Sequence, residues 1–197
     1  MTMRVFHRPT SRSHRVVWML EELGADYEVT LFTRADALTD EHRERHPLGR
    51  VPVLETDGRF VFESAALCMH LADCHPDAGL IPPPGSYERA CVYQWALFAM
   101  TEIEPGLIGF IHGGDDEERR EAGRQAFRAA TAVLEDVLEG HDYLVGDRFS
   151  VADVVAGSVA GDGGGPRGLL EGFPNVTAWD ARLRARPARV RTDAIGS

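Results

Sequence analysis

Residues 49–67, "GRVPVLETDGRFVFESAAL", decide how the first half of this chain is read. Val51–Leu54 and Arg59–Phe62 are short runs of strand formers, and Asp57-Gly58 between them is a strong hairpin turn signal. Pro52 cannot donate to a ladder, so it belongs at a strand start or edge. Ser64 then opens a helix predicted to reach about Asp73. Upstream, residues 3–7 and 27–32 read as strands, with Tyr27, Val29 and Leu31 alternating. Val16, Val17, Leu20 and Leu23 mark one helix face between them, and Gly24 stands in the C-cap position. That is a βαβ unit, whose two strands should be parallel. A polar helix is predicted over roughly 35–46. The order β-α-β-α-β-β-α makes a compact α/β domain.

Residues 75–86, "HPDAGLIPPPGS", are dense in Pro and Gly and read as a linker. Strand signals then stop. Val92, Trp95, Ala96, Ala99 and Ile103 follow helical spacing, as do Ala126, Ala130, Val133 and Val137 in a long helix closed by Gly140. In "DRFSVADVVAG" Ser150 is the N-cap, Asp153 occupies the third helical position, and Phe149 with Val154 forms a hydrophobic staple. "DGGGPRG", 162–168, reads as a flexible loop, and "FPNVTAWDARLRARP", 173–187, as a last helix stopped by Pro187. The arginines from Arg182 to Arg191 are expected to form a solvated face and tail.

The bulk chemistry excludes several function classes. A net charge of −10 argues against general nucleic-acid or anionic-membrane binding. All 21 basic residues are arginine, which removes every mechanism that needs a lysine. Cys68, Cys74 and Cys91 are odd in number and hold no C-x-x-C, against a disulfide framework and for a reducing, cytoplasmic compartment. No apolar run reaches membrane-spanning length. "CMHLADCH" brings Cys68, His70, Cys74 and His75 close in sequence, but Cys68 and His70 point nearly oppositely on a helix, so buried thiols are expected and no metal.

These motifs together resemble the cytosolic glutathione transferase superfamily, bacterial-type. "SRSHRVVWMLEELGADYEV", "HPLGRVPVLETDGRFVFESAAL", "YLVGDRFSVADVV" and "FPNVTAWDARLRARP" carry the resemblance in order over nearly the whole chain. It implies a thioredoxin-like domain, residues 1–76, a linker, 77–86, and an all-helical domain, 87–197. It also implies a cis Val51–Pro52 bond that leaves the Val51 backbone free to pair with a peptide-like ligand.

A hydroxyl and N–H groups at a helix start suit a carboxylate, and a neighbouring acid suits an ammonium. The resemblance gives Glu63 and Ser64 that task for the γ-glutamyl end of glutathione; otherwise Ser64 is a cap and Glu63 solvated. Arg50 is the candidate cation for the glycine carboxylate, with Arg45 and His46 as weaker alternatives and a solvated loop arginine as the plain one. A free thiol has a pKa of about 8.5, so a hydroxyl aimed at sulfur and a helix N-terminus would both favour the thiolate. Ser13 is read as the N-cap of a helix beginning at His14. Ser11 is then the preferred donor to sulfur and Thr10 the second, with Arg12 adding positive potential. The loop holds no cysteine, which argues against the disulfide-exchanging branches of the family.

The function implied is a detoxifying glutathione transferase that attacks a small apolar electrophile with its co-substrate's thiolate, as a homodimer. Tyr93, Phe98, Glu102 and Ile103 are candidates to line the electrophile pocket. The alternatives are a glutathione-dependent isomerase or dehalogenase, and a non-catalytic binding module.

Overall fold

A computed structural model describes residues 3–36 and 39–196. The chain forms two compact units. The first comprises Met1–Ala78 together with Arg186–Ser197, and the second is Gly79–Ala185.

In the first unit β1 (Met3–His7) leads to α1 (Ser13–Leu23) and β2 (Tyr27–Leu31). β1 and β2 pair in parallel, Met3 with Tyr27 through His7 with Leu31, as the βαβ pattern requires. Gly24 takes the left-handed conformation, φ 58°, and its N–H returns to Leu20 and Glu21 carbonyls at the end of α1. α2 (Asp40–Arg45) is capped by the Thr39 hydroxyl, which accepts from the His42 N–H at 3.2 Å. It is shorter than the predicted 35–46 helix, of which residues 37–38 lie outside the described residues. β3 (Val53–Thr56) and β4 (Arg59–Phe62) form the hairpin, and Asp57 and Gly58 both have positive φ, 49° and 74°, as a tight primed turn demands. The sheet order is β2-β1-β3-β4, with β1–β3 and β3–β4 antiparallel. α3 (Ser64–Cys74) packs against α1. This is the thioredoxin-like arrangement.

The chain's last described helix belongs here as well. α9 (Pro187–Asp193) packs on α1, as α3 does. Covered by sheet, α3 and α9, α1 buries Val16, Val17, Trp18, Met19 and Leu20 completely.

In the second unit Leu80 and Ile81 are buried, and the Leu80 carbonyl accepts from the Val151 N–H at 3.0 Å, so the Pro-rich stretch is docked rather than loose. α4 (Tyr87–Phe98) runs through a π-helical turn, Ala99–Ile103, into α5 (Glu104–His112). α6 (Glu117–Val137) crosses α5 at glycines: a Cβ at Gly106 would stand 2.8 Å from Phe127 Cα, and one at Gly123 2.6 Å from Gly109 C. α7 (Val151–Val159) carries the complete capping box of Ser150 and Asp153. Residues 162–168 are not the flexible loop expected. Ala160–Gly164 continue α7 as a second π-helical turn, and Gly165–Arg167 form a 3₁₀ turn. Gly164 lies where a Cβ would come within 3.0 Å of Phe127 Cε1, so these glycines serve close packing. Each π turn precedes a proline, Pro105 or Pro166, whose ring has no N–H and would strike the carbonyl four residues back; widening the helix there relieves both problems.

α8 (Pro174–Arg184) ends before the predicted stop. Pro187 does not terminate a helix but begins α9 (Pro187–Asp193), where its fixed φ suits the first helical position. The arginines expected in a solvated tail are largely engaged. Arg186 binds Glu22 through two hydrogen bonds of 2.6 and 2.8 Å. Arg191 pairs with Glu21 at 2.5 Å. Arg189 is buried over the Trp18 ring, its guanidinium carbon 5.0 Å from the centroid.

Candidate active site

The strand register gathers the candidate residues. Phe6 pairs with Val53, and Val53 with Phe62. Three chain segments therefore meet at one end of the sheet: the loop after β1 (residues 8–12), the approach to β3 (50–52) and the junction from β4 to α3 (63–64). This places Ser11, Arg50 to Pro52, and Glu63 with Ser64 at a common edge.

Val51–Pro52 is cis. Among the described residues neither the Val51 N–H nor its C=O has a hydrogen-bond partner. Val51 itself joins Phe6, Phe32 and Val53 in a buried apolar cluster, which fixes its backbone at the sheet edge. Glu63 has φ 74°, a left-handed conformation that a side-chain-bearing residue rarely adopts, and stands exposed at the head of α3. Ser64 is buried and accepts from Arg15 Nη1 at 3.3 Å. With its oxygen so engaged, the hydroxyl keeps its proton for an incoming carboxylate.

The three candidate cations divide clearly. Arg45 pairs with Glu41 and lies over the Phe6 ring at 4.8 Å. His46 is buried, accepts from the Leu48 N–H at 3.1 Å and stacks on Phe62. Burial lowers its pKa, which keeps it neutral. Arg50 is exposed, and among the described residues its guanidinium makes no hydrogen bond or ion pair; its carbonyl accepts from His42 Nε2 at 2.9 Å, which fastens the loop.

The hydroxyls before α1 are arranged differently from the sequence expectation. α1 begins at Ser13, not His14, and its N-cap position is Arg12, with no side-chain cap. Ser13 is fully buried and turns inward: its Oγ lies 2.8 Å from His7 Nδ1, accepts from the Arg8 N–H at 3.0 Å and stands 2.7 Å from Ser11 Oγ. The reason is His7, the polar residue that closes β1 and is fully buried there; it must find a partner, and Ser13 is the one within reach. Ser11, half-buried, bonds the Arg8 carbonyl at 2.7 Å and accepts weakly from the Ser13 N–H at 3.3 Å. Thr10 is exposed with φ 59°, strained for a β-branched residue.

His7 and Arg15 are the site-supporting residues that sequence reasoning missed. The signal for His7 was its place at the end of β1; Arg15 gave none, because an arginine beside His14 in the first turn of a helix reads as solvated. Of the residues expected to line an electrophile pocket, Ile103 is fully buried in the core of the second unit, while Tyr93 and Glu102 are exposed and Phe98 packs edge-on to Trp95. Cys68 is the buried thiol foreseen, donating to the Arg15 carbonyl at 3.6 Å and pushed up to about 12 by burial, whereas Cys74 is exposed.

The first unit thus lines one end of its sheet with a free backbone edge beside a cis proline, an acid–serine pair heading a helix and a hydroxyl loop. Comparison with known proteins places this arrangement in a family. The family profile described as "Glutathione S-transferase, N-terminal domain" matches residues 1–73, and "Glutathione S-transferase, C-terminal domain" matches 90–187. A probable glutathione S-transferase of Oryza sativa subsp. japonica is 30% identical, covering 92% of this chain and 90% of its own. A glutathione transferase structure from Methylococcus capsulatus is 29% identical with a TM-score of 0.88, covering 98% of this chain and 97% of that one. A sphingomonad glutathione S-transferase, solved in complex with glutathione, is 26% identical with a TM-score of 0.87, covering 97% of each. The chain belongs to the glutathione S-transferase family.

Proposed function

We propose that the protein binds glutathione at this sheet edge, holds its sulfur as thiolate with the Ser11 hydroxyl, and lets it attack a small apolar electrophile. The observation that carries the reading is the convergence of residues 8–12, 50–52 and 63–64 at one end of the sheet through the Phe6, Val53 and Phe62 register. The Val51 backbone pairs with the tripeptide as an added strand would. Ser64 and the N–H groups heading α3 take the γ-glutamyl carboxylate, Glu63 its ammonium, and Arg50 the glycine carboxylate. Ser11 donates to sulfur without losing its proton, with Thr10 as the second candidate, and the start of α1 adds its field.

We further infer a detoxifying role from membership of the family, and a reducing, cytoplasmic compartment, which suits a chain with three cysteines and no C-x-x-C. A homodimer is the family's arrangement, and the apolar pair Tyr93 and Leu97, exposed one turn apart on α4, is a surface a second copy would cover.

Capture on immobilised glutathione and conjugation of an activated aryl halide test the activity. Ser11→Ala should raise the pKa of the bound thiol in an ultraviolet thiolate titration. An unchanged titration in Ser11→Ala with a shift in Thr10→Ala would move the donor role to Thr10. Neither glutathione binding nor turnover would leave only a binding module.

A further inference from the structure

The hydroxyl row beneath the loop fixes a direction of proton donation. Each serine hydroxyl has one proton to give, and a backbone carbonyl has none. Ser11 Oγ stands 2.7 Å from the Arg8 carbonyl, so that contact uses the Ser11 proton. The 2.7 Å contact between Ser11 and Ser13 must then use the Ser13 proton. Ser13 Oγ already accepts from the Arg8 N–H at 3.0 Å, and its remaining contact is His7 Nδ1 at 2.8 Å. With the Ser13 proton spent, only the imidazole can supply this one. The four shortest contacts are satisfied together in a single way, with neutral His7 protonated at Nδ1; only the longer 3.1 Å approach of Ser13 to the Arg8 carbonyl is given up.

The surroundings of His7 agree. Burial, then the nearby His14, push its pKa down to about 4, so the ring is neutral at neutral pH. Nε2 is buried and makes no hydrogen bond among the described residues, which favours neither tautomer. The Ile195 backbone raises the pKa against the shift, as an acceptor does, but makes no hydrogen bond to Nε2, so the short contacts of the row decide where the proton sits.

We propose that His7 is a positioning residue whose Nδ1–H, passed on through Ser13, leaves the Ser11 proton free to point at the ligand's thiolate. The proposal rests on Ser11 as the donor to sulfur. When a thiolate arrives, Ser11 exchanges the Arg8 carbonyl for sulfur as acceptor, and nothing else in the row turns. Every proton stays on its own atom, and each donor polarises the next. In the opposite tautomer the Ser13 proton would go to His7. Ser11 would then have to share its proton between Ser13 and sulfur.

Nitrogen-15 NMR of the ligand-free protein reads the tautomer directly. His7 is expected as the neutral Nδ1–H form, and an Nε2–H form overturns the proposal. The second measurement is the ultraviolet titration of bound glutathione. His7→Phe should raise the thiol pKa by about half a unit to one unit, the net effect of one hydrogen bond, with KM for glutathione unchanged. His7→Asn, whose amide nitrogen reaches the Nδ1 position, should restore most of the shift, which a merely structural role would not predict. Ser13→Ala should match His7→Phe, and the double variant should exceed neither. If Ser11→Ala shifts the titration and His7→Phe does not, the role of His7 falls while the donor reading stands. If Ser11→Ala shifts nothing, both fall. Should His7→Phe not fold, Ser13→Ala and the tautomer measurement carry the test.

Discussion

Asp153 is the polar side chain on which the second unit depends most visibly, and replacing it should be costly. It is fully buried at the third position of α7. Oδ1 accepts from the Leu144 N–H at 3.1 Å and from Trp179 Nε1–H at 3.0 Å. Oδ2 accepts from the Ser150 N–H at 2.9 Å and the Ser150 hydroxyl at 3.1 Å. One carboxylate thus ties the loop before α7, the helix start and α8. Asp153→Ala leaves three buried N–H donors without acceptors, at about 1–3 kcal/mol each, while Ser150 keeps its bond to the Ala152 N–H. Some relaxation is shared among them, so the expected loss is about 3–5 kcal/mol, the low end of the three unsatisfied donors taken together. Asp153→Asn keeps both Oδ1 contacts but turns an N–H toward the Ser150 N–H, for a loss of about 1–3 kcal/mol. Burial holds the carboxyl up at about 6 against these four donors, above its unfolded value of 3.8. The folded state then binds a proton between these values that the unfolded state releases, so the wild type should gain on Asp153→Asn as pH falls through that window. Urea unfolding followed by tryptophan fluorescence should show the midpoint falling with the slope unchanged. A loss below about 1 kcal/mol for Asp153→Ala, or an asparagine as damaging as the alanine, would refute the donor-satisfaction account.

Three further outcomes are expected. His7 has its folded pKa at about 4 against 6.5 unfolded, so the unfolded state binds the extra proton; wild-type stability should fall relative to His7→Asn as pH drops from 6.5 toward 4, measured by urea midpoints at each pH. Gly123→Ala should destabilise by about 1–3 kcal/mol despite alanine's better helix propensity, because its Cβ would meet the α5 backbone; a thermal melt showing stabilisation would contradict the close crossing. Arg189→Ala should cost about 1–2 kcal/mol through lost packing on Trp18 and the lost 2.9 Å bond to Asp193, read from urea unfolding of the first unit by Trp18 fluorescence.

Strong local chemistry made much of the fold legible. Asp57-Gly58 announced the hairpin, Gly24 the end of α1, and Ser150 with Asp153 the start of α7, because turn and cap geometry admits few residue types. Two readings failed where glycine and proline have more than one use. Gly163 and Gly164 looked like a flexible loop but allow close packing, and Pro187 looked like a stop but starts a helix. Nothing in the local sequence distinguishes these uses; the partners, Leu107 and Phe127 for the glycines and α1 for α9, are far along the chain. At the site, the motif residues were visible as motifs, whereas the Ser13 assignment failed for a physical reason. Its hydroxyl had a buried imidazole to satisfy, and that neighbour becomes adjacent only once β1 and α1 are packed.

The return of α9 to the first unit bears on how the chain is made. A ribosome delivers residues in order, so strands, hairpin, α1 and α3 emerge long before Arg186, Arg189 and Arg191, which complete the cover over Trp18 and neutralise Glu21 and Glu22. Until then the nascent first unit carries an uncovered apolar helix side flanked by two acids, Glu21 and Glu22, that hold hydrogen bonds from Tyr27 and Trp18 but no cation. The helical unit can condense in the meantime, since all of its segments are already out. The first unit to be synthesised is therefore the last to be finished, and the fragment most exposed to wrong contacts during that wait is the one that bears the Ser11 loop.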